Sequence, residues 1–510
     1  MTFSKNLVII SLALFCVAAL PVWLLSRAVN PYLLRDYVTV QLSTLTSQPS
    51  QINGSIHWQL LPHPAIKISN IHIGDDNKKT DYSMRLDNML FNLKIAPLFR
   101  GKIVFNEIAV DGFQLRINPS SSPEISKSSN SNTQNNTVND QFEIERLLLS
   151  RGKVTLIQND DQYQFTDLQI GAENLNQQTN SIPFQLKSNM EYLNNKKALA
   201  KAHIQFKGRT TLSKSLFKEH ANDLKSSLIT GQLLIKNANL GKFKLTRLNA
   251  NTSLKQGILQ LNPLSITLYQ GQSIGDLRYD LAEKALQINQ TASAINSNLL
   301  TRDLFNKALL KGKLDLSLHA HADLTKGSWQ DISRGQGNIS IRDGSLESID
   351  LNQVVKLTSS KINNLLLSSP PELKVILENP ADAEPPSFKG KTPFKLLSIP
   401  FQLEQTNWHS DAMLLQTETL QIKGDAHLNL TNDQVDGHLQ AVVIGNDDKL
   451  NEVQTMLGGN FPFLIKNNLI KPIVLPDLNK INSLLTKAWL NKTLTKPIKT
   501  ISSRVMTYLP

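Results

Sequence analysis

The stretch from Arg334 to Leu351 reads R-G-Q-G-N-I-S-I-R-D-G-S-L-E-S-I-D-L. Ile339 and Ile341 alternate with Asn338, Ser340 and Arg342, the two-residue period of a strand with one buried face. Asp343-Gly344 is a pair that takes positive φ readily, so a tight hairpin turn is predicted there, with a second strand resuming at Leu346, Ile349 and Leu351. Val354, Val355, Ile362, Leu365 and Leu366 then recur at helical intervals, and Asp350 stands where an N-cap belongs. Strand, turn, strand and helix follow one another within about 30 residues, the spacing of a β-rich chain.

The same alternation recurs outward in both directions: Phe113, Leu115, Ile117; Val154, Leu156; Leu277, Tyr279, Leu281; Leu286, Ile288; Leu314, Leu316, Leu318; Leu420, Ile422; Leu428, Leu430. Each run has one apolar and one polar side, which predicts half-buried antiparallel strands. Lys313 to Asp323 is the clearest, with Leu and then Ala on one side and Lys313, Asp315, Ser317, His319, His321 and Asp323 on the other. Helical patterns are few: Leu299 to Leu310, Asn352 to Leu367, Lys449 to Leu457 and the tail after Pro476. The fold class is therefore mainly β with a few helices. Pro119 to Asn139, nearly all Ser, Asn, Thr and Gln, is too polar to bury and predicts a disordered loop over 119–140. A proline-rich loop is expected over 380–393. These breaks divide the chain into 1–28, 29–118, 119–140, 141–308, 309–475 and 476–510.

Residues Asn6 to Ser26 contain no charged side chain, and Leu7, Ile10, Leu14, Val17, Leu20, Trp23 and Leu25 mark a run that nearly covers the roughly 30 Å hydrocarbon core at about 1.5 Å per residue. A membrane anchor is expected over a cleaved signal peptide, because Pro21-Val22-Trp23-Leu24-Leu25 prolongs the apolar run beyond Ala18 and Ala19. Lys5 on one side and Arg27 and Arg35 on the other give little orientation by charge. The single cysteine, Cys16, lies inside this run, so no disulfide is expected in the remainder.

The formal charge of +12 admits nucleic acid, anionic lipid or a solvated surface. No interleaving of basic and aromatic residues of the single-strand-binding kind is present, so nucleic acid is not expected. The end of the chain is another matter. Lys480, Lys487, Lys492, Lys496, Lys499 and Arg504 occupy 478–510 without an acidic residue, while Leu478, Ile481, Leu484, Leu485 and Ala488 share a helical face beside Trp489. This predicts a basic amphipathic helix, either a cap on the end of the sheet or a contact with an anionic membrane surface.

Signs of catalysis are lacking. His319 and His321 stand two apart on one strand and would need a further ligand to hold a metal. Gly335-x-Gly337 precedes a strand rather than opening a helix, so it is no dinucleotide loop. Asp75-Asp76-Asn77 lacks the glycine and closing glutamate of a calcium loop. No P-loop, G-x-S-x-G or cysteine nucleophile occurs. No enzyme, metal or cofactor is expected.

The wording of Arg334 to Leu351 resembles the C-terminal signature of the AsmA family, with Ser348 where that family usually has glycine. Gly54 to Gly74, G-S-I-H-W-Q-L-L-P-H-P-A-I-K-I-S-N-I-H-I-G, and Ile95 to Ile117, containing P-L-F-R-G at 97–101, are similar to the opening of an AsmA domain. Pro462 to Pro472 is a weaker match, with Asn467 and Asn468 where the family tends to carry Gly-Thr. The resemblance implies a protein anchored in a bacterial inner membrane with its large part in the periplasm. It also implies kinship with bridge-like lipid-transfer proteins, in which a long sheet curls into an open groove. Roughly 20 to 25 strands about 4.8 Å apart would make such a groove on the order of 100 Å long. Its expected lining is Leu314, Leu316, Leu318, Leu420, Ile422, Leu428 and Leu430, its cargo phospholipid, and its role outer-membrane biogenesis. The sequence pattern alone fits a closed sandwich as well, since a lipid track and a protein core share one lining. A second function compatible with the chain is a factor for assembly or targeting of outer-membrane proteins that carries no lipid, pairing client strands with an edge near Asp433 to Val443.

Overall fold

The computed structural model describes residues 48–59, 64–74, 82–98, 100, 103–118, 142–158, 160–175, 181–211, 228–325, 333–367 and 390–487, with short pieces at 35–36, 39–40 and 42–43. The anchor at 7–25, the loop at 119–140, Asp75-Asp76-Asn77, Trp489 and the basic residues 492–504 lie outside these residues, as does most of the stretch 380–393. Among the described residues no helix is long and apolar enough to cross a membrane. The described residues form twenty-three strands, and two compact units are distinguished: residues 1–241 with 247–257, and residues 242–246 with 258–510.

In the first unit β1 (Ser50–Ile52) and β2 (Ile56–Gln59) both pair with β3 (Ala65–Ile73), which pairs with β4 (Tyr82–Leu93). After α1 (Ile95–Leu98) the meander continues through β5 (Ile103–Ile117), β6 (Phe142–Ile144), β7 (Arg146–Gln158), β8 (Asp161–Glu173), β9 (Ile182–Asn194), β10 (Lys197–Thr211) and β11 (Leu228–Leu240). The reversal between β9 and β10 is tight because Asn195 and Lys196 both take positive φ, 48° and 63°, as a two-residue turn between twisted strands requires. One junction departs from the antiparallel expectation: β5 pairs with β6 and β7 in parallel. Parallel neighbours need a crossover of a dozen or more residues, and the polar stretch read only as a break supplies that length. Asn70, Gly112, Arg151 and Asp167 have φ of 53°, 75°, 51° and 50° in β3, β5, β7 and β8, where the register of β7 with β8 and of β8 with β9 also shifts. Such bulges add local twist to a sheet.

The second unit runs β13 (Ile258–Leu268), β14 (Gly271–Asp280), β15 (Ala285–Asn296), β16 (Leu310–Asp323), β17 (Ser333–Leu346), β18 (Thr392–Glu404), β19 (Asn407–Gln416), β20 (Leu420–Asn429), β21 (Gln434–Val443), β22 (Phe461–Asn468) and β23 (Lys471–Pro476), each antiparallel to the next. β12 (Phe243–Lys255) precedes them, with 243–246 counted in this unit and 247–255 in the first. The helices α2 (Ser297–Phe305), α3 (Leu351–Leu367), α4 (Asp448–Met456) and α5 (478–487) follow β15, β17, β21 and β23, all at the same end of the strands. Short reversals at 404–407, 429–434 and 468–471 form the opposite end. Thr392 and Pro393 belong to β18 rather than to a loop.

Three sequence expectations are corrected here. Asp343-Gly344 is not a hairpin turn: β17 runs straight through it, paired with β16 on one side and β18 on the other. The two residues stand opposite Gly312 alone, between the pairs Lys313–Arg342 and Lys311–Ser345, so the dipeptide makes a bulge, with Asp343 at φ 49°. Nor is Asp433 to Val443 an edge, because β21 is hydrogen-bonded to β20 and β22 along its length. The helix expected over 299–310 ends at Phe305, where Asn306 turns left-handed at φ 55°, and Leu310 already starts β16.

Other local readings hold. Asp350 caps α3, accepting from the Gln353 N–H at 3.0 Å, and Leu351, Val354, Val355 and Ile362 are buried. The chain bends at 347–348 with Ser348 outside the left-handed region, so the bend does not depend on glycine there. Asn467 takes φ 85°, a conformation asparagine tolerates better than most residues other than glycine.

Candidate functional site

Directly opposed residues on neighbouring strands share a face, so the register shows what each face carries. In the first unit one row reads Ile56, Ile68, Met89, Val110, Leu149, Ile170, Leu186, Phe206, Leu233, across β2, β3, β4, β5, β7, β8, β9, β10 and β11. It is apolar at every position over roughly 40 Å of strand spacing. Ile68 and Val110 belong to a closed core with Ile52, Ile71, Ile73, Leu86, Phe113 and Leu168. From Leu149 to Leu233 the row is only half-buried. Phe184 stacks on Phe206 at 5.1 Å, and side chains at Gly208 and Gly231 would collide with the Phe206 ring.

The second unit separates two environments along the strands. Leu314, Ile341, Leu397, Leu415, Ile422, Ala441 and Phe461 oppose one another from β16 to β22, and none is more than 7% exposed. This row lies toward the helical end, where α3 packs against α4 and β23. Toward the turns the same face opens. Leu316 lies between Ala292 and Ile339, Leu318 between Gln290 and Gly337, and Leu428 between Trp408 and Val435. Leu316, Leu318, Ile339, Leu403, Trp408 and Leu428 are half-buried, and Phe401 stacks on Trp408 at 5.8 Å.

The expected lining residues thus fall into two groups. Leu314, Leu420 and Ile422 are in closed core, whereas Leu316, Leu318 and Leu428 lie on the half-open part. Leu430 is past the end of β20, in the turn, and 45% exposed. Of the tail, Lys480 and Lys487 are exposed on α5, which Asp477 caps by accepting from the Lys480 N–H at 3.1 Å and which buries Ile481. The first-unit row and the Phe401–Trp408 pair were not singled out from sequence, although the alternation of Leu147, Leu149 and of Leu186, Met190 carries the same signal.

The opposite face is polar in register too. Asp276, Asn289, His319, Gln336, Gln402, His409, His427 and Asp436 form one row across β14 to β21. His319 Nδ1 lies 3.0 Å from Asn289 Oδ1, and His409 stacks on His427. Among the described residues no group of three potential ligands could hold a metal ion. Charge pairs are local. Asp111 is held below the ordinary carboxylate range by hydrogen bonds from Arg151 and then Ser150. Asn194 and Tyr192 donate to Asp161 and lower it, and Lys391 and Ser345 do the same for Glu347.

The arrangement thus consists of long rows of aliphatic and aromatic side chains, buried in part and half-buried in part, on one face of the sheet in each unit. Comparison with curated proteins and with solved structures gives no match. The sequence pattern of the AsmA family matches residues 1–237 and 232–405, which takes in the first unit, the Arg334 to Leu351 signature and all of β18, and leaves Pro462 to Pro472 beyond it. The chain belongs to the AsmA family.

Proposed function

We propose that the protein serves biogenesis of the cell envelope by carrying phospholipid along the half-buried apolar faces of its sheet, with no covalent step. The observation that carries this reading is the unbroken apolar row from Ile56 to Leu233, half-buried from Leu149 onward. An acyl chain lying on such a face gains roughly 0.8 kcal/mol per methylene withdrawn from water. Because neighbouring positions are alike, movement from one strand to the next changes that energy little. The apolar run at Leu7 to Leu25 supports anchoring in the inner membrane, with the remaining chain in the periplasm and the outer membrane as destination.

Two substitutions test the reading. Leu318→Asp, on the half-open face, is expected to leave the fold intact and to abolish phospholipid transfer between donor and acceptor vesicles. Ile341→Asp, at a position with no exposure, is expected to unfold the second unit. Full transfer by folded Leu318→Asp together with an equivalent charge at Leu186 would contradict the proposal.

A further inference from the structure

β23 is the last strand of the second unit and, among the described residues, pairs only with β22. The register fixes which of its backbone groups face that neighbour. The Asp477 N–H donates to the Pro462 carbonyl oxygen at 3.0 Å, one step past the pair Phe463–Pro476, and in an antiparallel ladder bonded pairs recur at every second position. Lys471, Ile473 and Leu475 therefore turn their N–H and C=O groups toward β22, opposite Asn468, Lys466 and Leu464. Pro472, Val474 and Pro476 turn theirs away from it. Two of these three outward positions are proline and have no N–H to offer. Both prolines are half-buried rather than covered, so solvent reaches them.

An edge strand is a template for another strand, because its outward N–H and C=O groups await partners. A strand laid against β23 would meet three carbonyls but a single donor, the Val474 N–H. Two of its own carbonyls would face the rings of Pro472 and Pro476, which fill the space of the missing hydrogens. Leaving them without donors in a newly formed ladder is costly. Proline at 471, 473 or 475 would instead break the ladder to β22, and none stands there. In the first unit β1 meets the same problem by other means. Its pairs 49–74 and 53–70 bond toward β3, so Ser50 points away, and the Ser50 N–H donates to Ser43 Oγ at 3.0 Å. Arg35 likewise donates to the Gly54 carbonyl oxygen at 2.8 Å. We infer that β23 is a stop, whose two outward prolines keep a second copy of this chain from adding to the sheet edge to edge. Antiparallel pairing of two β23 strands about Val474 would set each Pro472 opposite a Pro476, and only the two Val474 N–H groups could bond.

The test uses the full-length protein in detergent, with its mass measured by light scattering over a range of concentrations and its backbone amide exchange followed by mass spectrometry. Pro472→Val combined with Pro476→Val gives the edge its two missing donors. In the wild-type protein, exchange over 471–477 is expected to be independent of concentration. The folded double variant is expected to double in mass as concentration rises, and to gain protection over 471–477 as it does so. If the double variant does not fold, Pro472→Val alone, which leaves the residue before α5 untouched, decides. A folded variant whose mass follows that of the wild type at every concentration would overturn the inference. So would association of the variant with no gain of protection over 471–477, or association of the wild-type protein that protects this strand.

Discussion

At the scale of single residues, the signature glycines have a packing role that the sequence states only in part. A Cβ at Gly337 would lie 2.0 Å from the Ser317 carbonyl oxygen and 2.7 Å from the Phe401 ring, so the ring occupies the space that a side chain would need. Gly344 is covered by Phe394 in the same way. Gly337→Ala is expected to destabilise the protein by about 1–3 kcal/mol, measured as a lower urea midpoint with unchanged slope. The G-x-G pattern was legible, but its partners are dozens of residues away in β18, and no local rule points to them. Glu347 gives a prediction with a sign. Its carboxyl is held below its ordinary value of 4.5 by Lys391, 2.8 Å away, and by the Ser345 hydroxyl. A lowered folded value means stability that is present above about 4.5 and lost as pH falls through the folded value. Thermal unfolding of Glu347→Gln is therefore expected at lower temperature than wild type at pH 7, with the difference vanishing as the pH drops well below 4.5. A difference that persisted unchanged at acid pH would assign the effect to packing instead.

At the scale of elements, strand identity followed from two-residue alternation, and α3 and α4 were legible to within one residue from their helical spacing, with Asp350 marking the start of α3; the Asp447 cap of α4 emerged only in the structure. The failures share a cause. Asp343-Gly344 was read as a turn because a hairpin is the local use of that dipeptide, yet β17 finds its partners in β16 and β18, and the dipeptide becomes a bulge. Likewise β21 looks like an edge from its own sequence, whereas β22 covers it. The tail helix divides by depth. Ile481 is 2% exposed and Leu484 approaches Gly458, so Ile481→Ala is expected to cost about 2–4 kcal/mol in denaturant unfolding. Lys480→Ala and Lys487→Ala, at exposed positions, are expected to stay within about 0.5 kcal/mol of wild type.

At the scale of the molecule, both units carry apolar rows on one face, and in the second unit the other face carries a row of Asp, Asn, Gln and His. That sorting was legible in sequence. The difference between closed core and half-open face was not, because Leu314 and Leu318 are the same residue type in the same strand four positions apart. What separates them is distance from the helical end, set by α2 to α5, and this emerges only from topology. The parallel junction of β5 with β7 was hidden for a related reason: a polar segment records its own composition but not the direction of the strand it leads to. The account as a whole stands on the claim that the half-open apolar face is occupied by lipid. The measurement that tests it most directly is lipid extraction with native mass spectrometry on the chain from Val29 onward, purified without the apolar segment, beside a soluble control protein. Several phospholipid molecules bound per chain, reduced in Leu318→Asp, is the predicted result; a well-folded chain with no more lipid than the control would contradict it.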